Sequence, residues 1–75
     1  MLSCKLDTIE TAKRLVGMCD KYDEDIDVIH RRQVIDGKSL VGVISLVGNI
    51  VSLDIITNDS DVKDNFEKDM MSLQE

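Results

Sequence analysis

The spacing of apolar residues divides the chain into a series of short segments. Leu2, Cys4 and Leu6 alternate weakly with Ser3 and Lys5, which predicts a strand at the start. Asp7 stands three residues before Glu10, the spacing of a capping box in which each side chain reaches the other's backbone amide. A helix is therefore predicted to begin near Thr8. Ile9, Ala12, Leu15, Val16 and Cys19 then recur at three- and four-residue intervals, opposite Glu10, Lys13, Arg14 and Asp20, so this helix should lay one apolar stripe on a sheet.

Ile26, Val28 and His30 alternate with Asp25, Asp27 and Ile29, and a second extended stretch, 33–36, follows the Arg31-Arg32 step. A hairpin is the economical reading. Its turn chemistry is poor, because two-residue hairpin turns need positive φ and favour Asn-Gly or Asp-Gly, so a longer or distorted loop is expected at Arg31-Arg32. Asp36-Gly37 makes a tight exit. Beyond Ser39, the run Leu40, Val41, Val43, Ile44, Leu46 and Val47 is assigned by periodicity to neither helix nor strand. Gly48-Asn49 breaks the chain, and Val51, Leu53 and Ile55 alternate with Ser52, Asp54 and Ile56 as a last strand. Asn58-Asp59-Ser60 supplies a turn and cap. Val62, Phe66, Met70 and Leu73 form the stripe of a closing helix, with Lys63, Asp64, Glu67 and Lys68 facing water.

Composition narrows the class. At 75 residues, 1–75 reads as a single domain, a size that buries only about 60% of its unfolded surface. With 43% hydrophobic residues but one Tyr, one Phe and no Trp, the core must be built from Val, Ile, Leu and Met. Fifteen acidic against nine basic residues give a formal charge of −6, the wrong sign for binding a polyanion by counterion release, so no nucleic-acid partner is expected. The acidic excess falls at 20–27 and 54–69 among structurally spaced apolar residues, as a solvated acidic face would. Cys4 and Cys19 lack metal or redox spacing and read as buried thiols, with no metal site and no cofactor expected. The apolar run 40–56 is interrupted by Gly42, Gly48, Asn49 and Asp54, and no signal peptide is evident. A soluble, cytoplasmic protein that avoids membranes is expected.

The segment Lys21 to Leu46 carries a more specific signal. Its end, Lys38-Ser39-Leu40-Val41-Gly42-Val43-Ile44-Ser45-Leu46, is similar to the K-S-(I/L)-x-G-V-x-S-L segment of the HPr family, the small phosphocarriers of the bacterial sugar phosphotransferase system. The resemblance extends over nearly the whole chain with a small deletion around Gly48. It implies an α+β fold, an open-faced β-sandwich in the order β-α-β-β-α-β-α, with helices on one face of a four-stranded, mainly antiparallel sheet. On that pattern the run after Ser39 is a short helix, and Ser39 matches the family's regulatory serine.

The same alignment sets the family's active-site run, H-x-R-P-A, against Thr8-Ile9-Glu10-Thr11-Ala12. The phosphorylatable histidine and its arginine are both missing. Thr8 is a poor substitute, because a phosphothreonine ester is too stable to pass its phosphoryl group on readily, and Glu10 brings the wrong charge to a phosphate site. His30, the single histidine, stands beside Arg31 and Arg32 but away from any helix N-terminus. No catalytic residue is assigned, and an enzyme is not expected.

What remains is Ser39, a helix N-cap where an added phosphate would be electrostatically welcome, and the apolar neighbours Leu40, Val41 and Ile44. In the family this patch docks enzyme I, permease components, the HPr kinase and a transcriptional regulator, and some members without the histidine act only through the phosphoserine. The resemblance therefore implies a non-catalytic regulatory module with protein partners of that kind, as a monomer or weak homodimer. The alternatives are a divergent phosphocarrier accepting on His30, or a structural or assembly module with an unrelated partner.

Overall fold

The computed structural model describes residues 2–73. Along the chain lie β1 (Leu2–Lys5), α1 (Ile9–Cys19), β2 (Ile26–His30), β3 (Gln33–Asp36), α2 (Leu40–Ile44), β4 (Ile50–Ile55) and α3 (Ser60–Leu73). The expected β-α-β-β-α-β-α order is present, and the run after Ser39 is a short helix. The strands form one sheet in the order β1-β4-β2-β3, and all three pairings are antiparallel.

Strand alternation decides which face is covered. Successive side chains point to opposite sides, so Val51, Leu53 and Ile55 of β4 share a face with Ile26 and Val28 of β2 and Cys4 of β1. All six are buried, in one cluster with Ala12, Leu15 and Cys19 of α1, Val43 of α2, and Phe66, Met70 and Leu73 of α3. The three helices thus pack on one side of the sheet. Fully burying a side chain of this kind contributes about 1.5–3 kcal/mol, so a core of aliphatic residues suffices with Phe66 as its one large ring.

Three sequence expectations are corrected. Ile9 is 51% exposed rather than part of the α1 stripe, because it occupies the first helical position, at the rim; Met18, three residues on from Leu15, is buried instead. The helix cap is Thr8, with no Asp7–Glu10 capping box: Thr8 Oγ1 accepts from the Thr11 amide at 3.2 Å, and Asp7 accepts from the Thr11 hydroxyl at 2.8 Å. The Arg31-Arg32 connection is not a longer loop, and the distortion expected there is confined to the Arg31 backbone. His30 pairs directly with Gln33, and Arg31 takes φ 58°, the left-handed conformation that a tight two-residue hairpin demands of a first central residue. Register between two well-patterned strands overrides the turn preference of arginine.

The remaining connections fix the approach to the sheet. Gly48, at φ 100°, donates to the Leu6 carbonyl at 2.7 Å while the Leu6 amide donates to Asn49 at 2.9 Å, so the chain turns into β4 locked beside the end of β1. Tyr22 closes the opposite side: its ring meets Phe66 edge-on at 5.5 Å, and its hydroxyl donates to Asp69 at 2.6 Å, tying the loop after α1 to α3.

Candidate functional site

Two helix starts carry the residues singled out from sequence. At α1, the Thr8 hydroxyl is occupied as the cap, lying 3.1 Å from the Thr11 hydroxyl. The hydrogen bond from Thr11 holds the Asp7 carboxyl below its usual range, and Glu10 pairs with Lys13 at 3.6 Å on the exposed surface. Two carboxylates therefore stand where a phosphate-binding helix start would present bare amides to an anion. Thr8 is thus the cap of α1, and Glu10 lies in its first turn.

At α2, Ser39 is the N-cap in extended geometry, its Oγ accepting from the Gly42 amide at 3.2 Å. It is half-buried. Its own amide donates to the Asp36 carbonyl at 3.0 Å, while the Asp36 carboxylate accepts from the Lys38 amide at 2.9 Å. Asp36 through Ser39 is thus a compact turn that delivers the chain from β3 into the helix.

What seats the helix is Gly42. A β-carbon at this position would fall 2.6 Å from Ile35 Cγ2 and 3.2 Å from Ser39 Oγ, so only glycine lets α2 lie this close to β3. Gly37 plays a related part, since a β-carbon there would stand 3.1 Å from the Ile26 carbonyl oxygen and 3.2 Å from Cys19 Sγ. The sequence pattern does not reveal Gly42's role, because the close approach is tertiary; the glycine inside an apolar run is the one available hint.

With α2 pinned in this way, its side chains separate into two sets. Val43 is buried and Ile44 packs half-buried against the core, whereas Leu40 is 39% and Val41 83% exposed. The apolar surface beside Ser39 is therefore made by Leu40 and Val41, with Ile44 at its inner edge.

His30 is remote from this arrangement in chemistry. It ends β2, opposite Gln33, and by alternation belongs to the same side of its strand as Ile26 and Val28. Cys4 and Cys19 are free, buried thiols; burial pushes both upward, Cys19 to about 12, so neither is a poised nucleophile. Among the described residues no group of three or more His, Cys, Asp or Glu side chains is arranged to hold a metal ion, and no helix is long and apolar enough to cross a membrane.

No family model and no curated protein matches this sequence. Among solved structures, the crystal structure of HPr-C-His from Thermoanaerobacter tengcongensis is similar, with a TM-score of 0.70 at 18% sequence identity, over 96% of this chain and 91% of that one. The chain has an HPr-like fold.

Proposed function

We propose that the chain is a regulatory binding module of the sugar phosphotransferase type, acting through phosphorylation of Ser39 and recognition of the adjacent Leu40–Val41 surface, without phosphoryl transfer of its own. The observation that carries this reading is the junction at α2: a serine N-cap stands at the root of a short helix whose next two residues are exposed and apolar, while the helix itself is held by Gly42. Exposed apolar groups bordered by polar ones suit a protein interface. A phosphate at Ser39 adds about −1.5 to −2 charges and strong acceptor oxygens beside them, which converts the patch into one that a partner recognises with arginine plus an apolar pocket. The α1 start supports the negative half of the proposal, since Thr8 is engaged as a cap between two carboxylates.

The family resemblance names the partners to try: the HPr kinase, a transcriptional regulator, and phosphotransferase proteins. The decisive experiment incubates the protein with an HPr kinase and ATP, beside a histidine-containing HPr in the same tube, and reads the products by intact mass and fragment mapping. One phosphate on Ser39, lost in Ser39→Ala, is the expected result. Modification of the control HPr while this protein stays unmodified would sink the proposal. A parallel incubation with enzyme I and labelled phosphoenolpyruvate addresses the His30 alternative, which requires acid-labile label that disappears in His30→Ala.

A further inference from the structure

The side of the sheet away from the helices carries an ordered pattern that the Ser39 site does not use. By alternation this open face presents Ser3 and Lys5 of β1, Ile50, Ser52 and Asp54 of β4, Asp27 and Ile29 of β2, and Val34 and Asp36 of β3. Register arranges them in bands across the strands. Asp36, Asp27 and Asp54 are direct cross-strand neighbours and form an acidic band. Val34, Ile29, Ser52 and Ser3 form the next row along the sheet, apolar grading into small and polar. Beyond it Lys5 pairs with Ile50, at the end where the Arg31-Arg32 turn joins β2 to β3. The face therefore runs from an acidic band, through a neutral middle, to an end that carries Lys5 and is bordered by the Arg31-Arg32 turn and, beside Lys5, by Asp7.

Such a pattern is costly in isolation. Like charges directly opposite one another on a sheet are destabilising, and Val34 and Ile50, at 59% and 65% exposure, leave apolar surface in water. Both features make sense against a surface of the reversed charge order. A second copy turned by a two-fold axis along the Val34–Ile29–Ser52–Ser3 row supplies that order: its basic end meets this acidic band, its acidic band meets this basic end, and the neutral rows face each other. The other in-plane two-fold, parallel to the strands, sets acid on acid.

We propose that the open sheet face is the interface of a weak two-fold homodimer, in which the Asp27–Asp36–Asp54 band of each copy faces the Lys5 and Arg31–Arg32 end of the other. The contact is isologous, so it closes at two subunits and makes no filament. Its size sets its strength. Four strands about 4.8 Å apart, with about five residues each rising about 3.3 Å, offer roughly 300 Å² per copy, below the about 800 Å² per partner of a standard interface. The dimer therefore belongs to the weak class and depends on concentration and salt. The net charge of −6 opposes pairing at long range, while screening over about 8 Å at physiological ionic strength leaves the local bands in control.

Sedimentation velocity on the full chain, from about 0.05 to 2 mM, tests this with two variants of opposite design. Asp27→Lys/Asp54→Lys makes both ends basic, and Lys5→Glu/Arg32→Glu makes both acidic; circular dichroism verifies that each is folded. The wild type should show a rising weight-average coefficient, and each variant alone should dissociate with a Kd raised more than about tenfold by like-charge contact. An equimolar mixture of the two should recover association to within about threefold of wild type, because each substituted position again faces charge of the opposite sign. A wild type that stays monomeric throughout overturns the proposal and assigns the face to a different protein. Variants that associate as the wild type does, or a mixture that fails to recover, overturn it as well.

Discussion

Gly42 and Ile35 stand so close that a β-carbon on the glycine would lie 2.6 Å from Ile35 Cγ2. That one approach sets the height of α2 above β3, and with it the direction in which Ser39, Leu40 and Val41 face. Gly42→Ala gains about 1 kcal/mol of helix propensity, yet forces a steric shift of the kind that costs about 1–3 kcal/mol. A net loss near 1 kcal/mol is expected in urea denaturation. Ile35→Ala loses stability by itself, but in the double variant the clash is gone, so a double-mutant cycle should give a favourable coupling of at least about 0.5 kcal/mol. Strict additivity would show that α2 is not held by this contact.

The cap of α1 makes a separate prediction. Thr8→Ala removes the acceptor for the Thr11 amide and should cost about 1 kcal/mol, whereas Thr8→Asp retains an acceptor and should stay within about 0.5 kcal/mol of wild type. Glu10→Ala removes only an exposed pair with Lys13 and should change the urea midpoint little. A larger effect from Glu10→Ala than from Thr8→Ala would reinstate the capping box.

These two helix starts also show how much the sequence makes legible. The β4 alternation of Val51, Leu53 and Ile55 and the Phe66–Met70–Leu73 stripe follow from periodicity and are present as expected, whereas the helix that Ser39 caps follows from the family resemblance, because the apolar run after it fits helix and strand alike. The order of elements follows from the two together. The α1 cap does not, because Asp7, Thr8, Glu10 and Thr11 offer two overlapping pairs three residues apart, and only geometry selects the threonines. The Arg31-Arg32 turn is hidden for another reason: local preference argues against it, and the pairing of His30 with Gln33 prevails over arginine's reluctance to adopt positive φ. Gly42 is opaque because its constraint comes from a strand several residues earlier. The open-face charge order needs the register of three strand pairs before it can be seen at all.

Alkaline pH should destabilise the fold in a graded way. Burial, followed by the hydrogen bond to Asp69, raises the Tyr22 phenol above its ordinary value of 10.0, and burial raises the Cys4 and Cys19 thiols above 9.0, Cys19 to about 12. For each group the folded state binds the proton more tightly than the unfolded chain. The associated stability is fully present below the unfolded values and declines as pH rises through about 9 to 12. Urea midpoints should be flat from pH 7 to 8.5 and then fall. Tyr22→Phe, which loses the 2.6 Å bond to Asp69, should cost about 1 kcal/mol at pH 7 and show a shallower decline near pH 10–11 than wild type. A decline of the same steepness in Tyr22→Phe would assign the effect to the cysteines alone.

Neighbouring valines on α2 should separate folding from recognition. Val43 is fully buried and Val41 is 83% exposed, two residues apart on the same five-residue helix. Val43→Ala removes two buried methyl groups and should cost about 1–3 kcal/mol, because the sheet beneath it closes the gap only in part. Val41→Asp leaves the core untouched and should remain within about 0.5 kcal/mol of wild type, since surface changes away from packed features have small effects. If Leu40 and Val41 form the surface that is read beside phosphorylated Ser39, Val41→Asp should still weaken capture of that partner at least about tenfold, as a charge buried opposite an apolar pocket does. Isothermal titration with the Ser39-phosphorylated protein, paired with urea denaturation of each variant, measures both quantities. A Val41→Asp protein that binds as well as wild type would move the recognition surface away from α2, while leaving the folding argument at Val43 intact.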